Sequence, residues 1–364
     1  MSPGALSSCV GSIISGTSLD LNIIHKDYYD NKTTPPYLIF TGDNTEALNA
    51  KTGAGIIEWC PELVSGQLRF NNKTLDLGVP DLTLEEAVKK GVKSIIIGVA
   101  PVGGQVGDDW IEVLVKAASL GLEVVSGLHL RLEDFPALKA AASKSGARLV
   151  NIRKPSPNLP IGSGNKRSGN RLLMVGTDCA VGKKYSALAI AQAMNNRGIN
   201  ATFRATGQTG IMISGEGEPV DSVIADFISG AAQVISPAND PNHWDVIEGQ
   251  GSLFNPSYSG VSMGLLHGSQ PDAFVVCHEP GREICCSSTE TEIPSIQDCI
   301  NLHIRCGQIV NSNIKCVGVS LNTSQLSPDK RKAYLKNLSD ELSIPCVDPI
   351  ITGPDTIIDF MNIG

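Results

Sequence analysis

The stretch Arg171-Leu172-Leu173-Met174-Val175-Gly176-Thr177-Asp178-Cys179-Ala180-Val181-Gly182-Lys183 decides the fold. Its first five residues read as a buried strand, and Gly176–Lys183 matches GxxxxGK directly after it. A helix from Gly182 to Arg197, ended by Gly198, is expected to follow. That is the strand, loop and helix order a P-loop requires. The glycines let the backbone curl so that successive N–H groups face inward. The helix N-terminus adds partial positive charge and Lys183 a full one. Gly176, Thr177, Asp178, Cys179, Ala180, Val181, Gly182 and Lys183 are therefore expected to bind two adjacent phosphate groups. The next position usually carries a Ser or Thr whose hydroxyl holds Mg²⁺. Here it is Lys184. A protonated lysine cannot ligate a metal, so no metal is expected and ATP hydrolysis is disfavoured. The pattern fits a ligand whose phosphates are bound but not transferred, such as coenzyme A, with Lys184 supplying charge in place of the ion.

Upstream of this motif, strands at 37–40, 94–99, 123–125 and 148–152 alternate with helices at 51–57, 82–90, 110–120 and 136–144. Thr83, with Glu86 three residues on, is a candidate N-cap. Pro101-Val102-Gly103-Gly104 is expected to be a loop at a strand's carboxyl end. Downstream, strands are expected at 201–204, 245–247, 273–277 and 316–321, and apolar spacing predicts a helix over 220–235. Residues 154–170 carry Pro, Ser, Gly and Asn, which is linker chemistry. The expected architecture is α/β with two parallel-sheet domains, a Rossmann-like one over 36–153 and a P-loop NTPase-like one over 171–364. Residues 1–35 are expected to be a disordered extension.

With a formal net charge of −8 and no dense Lys/Arg cluster, the chain is a poor partner for nucleic acid. No apolar run reaches the ~20 residues of a membrane span. The ten cysteines are scattered, several inside apolar runs, and no CxxC spacing occurs. They read as free thiols of a reducing compartment, hence a cytoplasmic expectation. Homodimerisation is expected on general grounds alone.

Polar residues gather where strands end, and loops at the carboxyl ends of a parallel sheet line the ligand crevice. Arg204-Ala205-Thr206-Gly207-Gln208-Thr209-Gly210 follows one strand, and Glu248-Gly249-Gln250-Gly251-Ser252 another. Glu248 stands where P-loop enzymes keep an acid. The Gly/Ser/His-rich run from Asn255 to Ser269 carries Tyr258, His267 and Ser269, and His278 closes a further strand.

These blocks resemble the D-glutamate N-acetyltransferase family. The similarity runs through Gly176–Tyr185, Arg204–Gly210, Asp221–Gly230, Asp245–Ser252 and Gly264–Glu279. It extends to Leu38–Asp43, Asp76–Gly78, Ile97–Gly104 and Ser126–His129. The resemblance implies a Rossmann-like domain joined to a P-loop domain, and transfer of acetyl from acetyl-CoA to the amine of D-glutamate. The second domain is also similar to dethiobiotin synthetase, whose loop ends GKT, and departs from it at Lys184. An ATP-dependent ligase or kinase therefore remains a competing reading, as does a non-catalytic nucleotide or coenzyme A sensor. For acetyl transfer, Glu248 or His267 is the expected base, and Arg204 the expected clamp on a substrate carboxylate. Amides near Gly207–Gly210 are expected at the oxyanion. Thr206, Gln208, Thr209, Gln250 and Ser269 complete the expected substrate site, while Asp178 is expected to orient the loop or a lysine rather than transfer a proton.

Overall fold

Successive side chains of a strand point to opposite faces, and Tyr37–Gly42 (β1) is buried on both. A computed structural model of the chain describes residues 32–100, 106–286, 288 and 290–362. The expected extension therefore lies mostly outside the described residues, and so does the Pro101–Gly104 loop. Thr34 is tied down: its N–H donates to Glu123 at 3.0 Å and its carbonyl accepts from Ser94 Oγ at 2.5 Å.

β1 is followed by α1 (Lys51–Trp59), β2 (Val64–Arg69), α2 (Leu84–Lys89) and β3 (Ser94–Ile97). Then come α3 (Asp108–Ser119), β4 (Glu123–Ser126), α4 (Pro136–Ser145) and β5 (Leu149–Asn151). The Thr83 capping box opens α2 as expected, with Glu86 reaching back to the Thr83 N–H. The five strands form one parallel sheet in the order β2-β1-β3-β4-β5. β2 was not foreseen, because Val64-Ser65-Gly66-Gln67-Leu68-Arg69 has little apolar content.

The second sheet takes β6 (Asn170–Gly176), β7 (Ala201–Arg204), β8 (Trp244–Ile247), β9 (Ala273–His278), β10 (Lys315–Leu321) and β11 (Cys346–Val347). Its order is β11-β10-β9-β6-β8-β7, all parallel. Its helices are α5 (Lys183–Asn196), α6 (Gln208–Ser214), α7 (Ile228–Ile235), α8 (Ser259–Ser269), α9 (Ile296–Gly307), α10 (Pro328–Leu342) and α11 (Asp355–Met361). Both neighbours of β6 come later in the chain, so the motif after β6 opens at the sheet's topological switch point, where α/β folds bind ligands.

The helix expected over 220–235 is shorter. Val220–Ser222 and Ala225–Phe227 are 3₁₀ turns, and only 228–235 is α-helical. The extended backbone at Val223 makes the break, and Asp221 just before it is spent on an ion pair with Arg153 of the first half. The linker is also less loose than its composition suggests: a β-carbon on Gly230 would sit 1.7 Å from the Pro160 carbonyl. Residues 160–162 therefore lie flat against α7.

Leu38, Phe40, Ile95 and Ile97 face α3, where Trp110 and Leu114 cover them. On the opposite face, Ile39, Ile96, Val125 and Val150 pack against Ile56 of α1 and against Ala205, Ile211 and Met212. The last three belong to the second half of the chain, so α6 supplies part of the first sheet's cover and the two sheets share a core. No described helix is long and apolar enough to cross a membrane.

Candidate active site

The loop between β6 and α5 is held from three sides. Thr177 N–H donates to Cys277 O at 3.1 Å, and Ser252 Oγ donates to Thr177 O at 3.0 Å. Thr177 Oγ1 lies 3.0 Å from His278 Nδ1. Gly182 adopts φ 103°, a left-handed conformation that only glycine takes without strain, and there the chain turns into α5. Lys183 is buried and donates to the Asp178 carbonyl at 2.7 Å. Burial lowers its pKa, which neighbouring acidic groups partly restore.

Asp178 is fully buried. It accepts from Asn255 Nδ2 at 2.8 Å, Arg282 Nη1 at 3.1 Å and the Cys286 N–H at 2.6 Å. It thereby clamps the segment after β9 to the loop. Burial raises the Cys179 thiol to about 11, so this sulfur is no thiolate at neutral pH.

Lys184 and Glu248 form the second part of the site. The Lys184 ammonium stands 4.3 Å over the Tyr185 ring, in the seam between α5 and α1. Burial lowers its pKa to about 8, with Glu248 and Glu58 opposing and Lys51 adding to the shift. Glu248 is buried at the end of β8. Its Oε2 accepts from the N–H groups of Thr206 at 3.0 Å and Gly207 at 3.1 Å. Burial raises its pKa, offset in part by those amides and by Lys184. Gly249 next to it is obligatory, since a β-carbon there would lie 1.6 Å from the Met174 carbonyl.

Thr206 Oγ1 donates to Glu248 O at 2.8 Å and accepts from Gln250 Nε2 at 3.0 Å. Thr209 meets Thr52 of α1, hydroxyl to hydroxyl, at 3.0 Å. Gln208 packs on Gly127 at the end of β4. Thr206, Gln208, Thr209, Glu248 and Gln250 thus converge where the carboxyl ends of the two sheets meet.

Three expected residues do not join them. Arg204 turns back along its strand, and its Nε donates to buried Asp245 at 2.7 Å. Buried Asp245, which also accepts from Ser236 Oγ at 2.8 Å, holds the guanidinium by its Nε, and Glu216 lies 3.7 Å from its Nη1, so two acids draw the cation away from the crevice. His267 and Ser269 lie at the far end of α8. His267 Nε2 is 3.2 Å from Cys306 O, and Ser269 Oγ donates to Leu265 O at 2.7 Å. Arg167, just before β6, reaches the Ser269 carbonyl at 3.2 Å. That end of α8 is at the amino edge of the sheet, roughly 20 Å along β6 from the phosphate loop.

Arg153 was not foreseen. It follows β5, donates from Nε to Gly127 O at 2.6 Å and pairs with Asp221. Glu248 and Tyr258 lie within its electrostatic reach. Its only signal in the sequence was a basic residue shortly after a strand.

This arrangement, a phosphate loop whose lysine is followed by Lys184 and set beside a Rossmann-like sheet, has a counterpart among known proteins. Residues 160–358 match the model described as "Domain of unknown function (DUF1611_C) P-loop domain", and residues 69–155 match its Rossmann-like N-terminal partner. A relative from Tritonibacter scottomollicae named D-glutamate N-acetyltransferase is 46% identical over 89% of this chain and 97% of its own. The chain belongs to the D-glutamate N-acetyltransferase (DUF1611) family. A second member with that name, from a Pseudoalteromonas species, is 44% identical over 89% of this chain and 98% of its own. The crystal structure of a DUF1611 family protein from Anabaena variabilis superposes with a TM-score of 0.82 at 29% identity. It covers 91% of this chain and 99% of that one. Both halves of the fold, and the seam between them, therefore belong to the DUF1611 family as a unit.

Proposed function

We propose that this chain is itself a D-glutamate N-acetyltransferase and that its acetyl donor is acetyl-CoA. The observation that carries the donor assignment is Lys184. A cation stands where a metal-anchoring hydroxyl would be, beside Glu248, in a loop otherwise built for phosphates. The loop amides and Lys183 hold the coenzyme's diphosphate. Phosphoryl transfer in a P-loop draws on an ion, anchored by the Ser or Thr hydroxyl, that bridges the β- and γ-oxygens; a loop with Lys184 at that position suits phosphates that are bound but not transferred.

Acetyl transfer needs an unprotonated amine, and Glu248 is the group best suited to accept the proton. Its pKa is raised by burial, and a stronger base takes an ammonium proton more readily. His278 is less suited, because burial and Arg282 lower its pKa to about 4 and Thr177 engages its Nδ1. The amine nitrogen then attacks the thioester carbon, the C–N bond forms, the C–S bond breaks and the thiol leaves. The thioester lies at the far end of the pantetheine arm from the diphosphate, so the arm must turn back over Gly207 to reach Glu248. Arg153 replaces Arg204 as the proposed partner of a substrate carboxylate. Its Nε and one Nη1 proton are used, which leaves donors of the guanidinium fork for a ligand.

Incubation with acetyl-CoA and separate D- and L-amino acids, read as thiol release, tests the proposal. D-glutamate should be the preferred acceptor. Consumption of ATP in the absence of any thiol release would overturn it.

A further inference from the structure

We propose that Lys51 and Lys184, contributed by opposite halves of the chain, form a second anion subsite beside the phosphate loop that takes the 3′-phosphate of the coenzyme. The inference rests on the coenzyme A reading above. α1 begins at Lys51, and the 3.0 Å contact between Thr52 and Thr209 fixes its first turn against α6. One turn on, Gly55 has no side chain, and Lys184 Nζ lies 2.8 Å from where its β-carbon would be. The glycine thus makes room for the ammonium. Residues four apart share a helix face, so Lys51 rises from the Gly55 face, exposed to solvent and within electrostatic reach of Lys184.

Among the described residues neither ammonium has a hydrogen-bonded or ion-paired partner; Lys184 has the Tyr185 ring alone. The nearby charges are mostly committed elsewhere. Arg282, which flanks Lys51, is paired with Asp178 and Glu279, and Glu248 is held by two amides. Glu58, near Lys184, is engaged by the Tyr185 hydroxyl. Both lysines have lowered pKa values, desolvation by the surrounding chain being the main cause even at solvent-exposed Lys51, and an anion between them would reverse that shift.

Charge decides which anion fits. A phosphomonoester carries about 1.5–2 negative charges near neutral pH, matching two ammoniums. A carboxylate carries one, and the diphosphate is already met by the loop amides and Lys183. Acetyl-CoA contains one phosphomonoester, the 3′-phosphate of its adenosine. 3′-Dephospho-coenzyme A lacks it, and ATP carries its dianionic phosphate at the end of the triphosphate instead, so the subsite would select coenzyme A over its dephospho form.

The test is calorimetric binding of coenzyme A and 3′-dephospho-coenzyme A to the wild-type chain, Lys51→Met and Lys51→Arg. The wild type should bind the dephospho form at least ~10-fold more weakly. Lys51→Met should bring coenzyme A down to that level and leave the dephospho form unchanged, and Lys51→Arg should restore the preference. Equal losses for both ligands in Lys51→Met, or no preference in the wild type, would overturn the subsite while leaving the coenzyme reading intact. A raised KM for D-glutamate with unchanged coenzyme affinity would also overturn it, placing Lys51 at the acceptor. A wild type that binds neither ligand would dismiss the coenzyme reading and the subsite with it.

Discussion

Lys183 and Lys184 are neighbours with different tasks, and substitutions should separate them. Lys183 is inside the loop, bonded to the Asp178 carbonyl. Lys183→Ala should weaken acetyl-CoA binding by ~10²-fold, a loss of about 3 kcal/mol, and unchanged calorimetric affinity would remove the cradle. Lys184 is a partly buried cation without a protein anion bonded to it, so removing it should help the fold and harm the ligand site. Lys184→Met should raise stability at pH 7 by roughly 1–3 kcal/mol in urea unfolding while weakening coenzyme binding. The sign follows from the depressed pKa of about 8. Against an unfolded value near 10.4, the neutral amine's advantage is present above the unfolded value and is lost as pH falls to about 8. The stability gain in the variant should therefore vanish by about pH 10.5. Glu248→Gln keeps an oxygen for the Thr206 and Gly207 amides, so coenzyme binding should survive. The transfer rate should drop ~10²-fold or more, and a wild-type rate would end its role as base. The loop residues were legible in the sequence because their spacing is itself the mechanism. Arg204, His267 and Ser269 were not, because position after a strand does not say which way a side chain turns, and Asp245 claims Arg204 from within the sheet.

At the level of elements, glycine explains both what was readable and what was not. Gly176 and Gly182 announced the loop. The glycines of Ser259–Ser269 concealed a helix, since glycine is a poor helix former. Packing overrides that preference: a β-carbon on Gly264 would meet Ile228 at 2.6 Å, and one on Gly268 would meet Ser229 O at 2.2 Å. α8 is thus a helix because α7 needs a smooth partner. The first turn of α6 falls within Arg204–Gly210, whose Gly207 and Gly210 read as loop for the same reason. Gly210 gives Glu248 its place there, because a β-carbon would lie 2.4 Å from Glu248 Oε2 and push the carboxylate aside. Gly249→Ala should be the harshest single methyl addition in the site. The atom in its way is backbone, so the strand ends must part, and a loss of more than about 3 kcal/mol or insoluble protein is expected. Wild-type urea unfolding would show that β8 can shift away from β6.

For the whole molecule, two sheets and their parallel order followed from alternating strands and helices, but the way they join did not. A linker rich in Pro, Ser and Gly suggested independent domains, and sequence cannot show that Ala205, Ile211 and Met212 leave their own half to cover Ile39, Ile96 and Val125. Local periodicity reports which face of an element is apolar, not which sheet it meets. The shared core predicts one cooperative transition in calorimetry for both sheets. Ile211→Ala should cost about 2–5 kcal/mol and lower that single transition without splitting it. Two resolved transitions in the wild type would contradict the shared core.

This exchange of cover has a consequence for synthesis. The first sheet is complete when Asn151 emerges from the ribosome, but Ala205, Ile211 and Met212, which finish the cover that Ile56 begins on its second face, are encoded up to some sixty codons later. At about 5–20 residues per second part of that face stays wet for roughly 3–12 s in each nascent chain. A growing polypeptide of this kind should engage a ribosome-associated holdase at that stage, and ribosome-bound chains stalled before Ala205 should be far more sensitive to protease than chains stalled beyond α6.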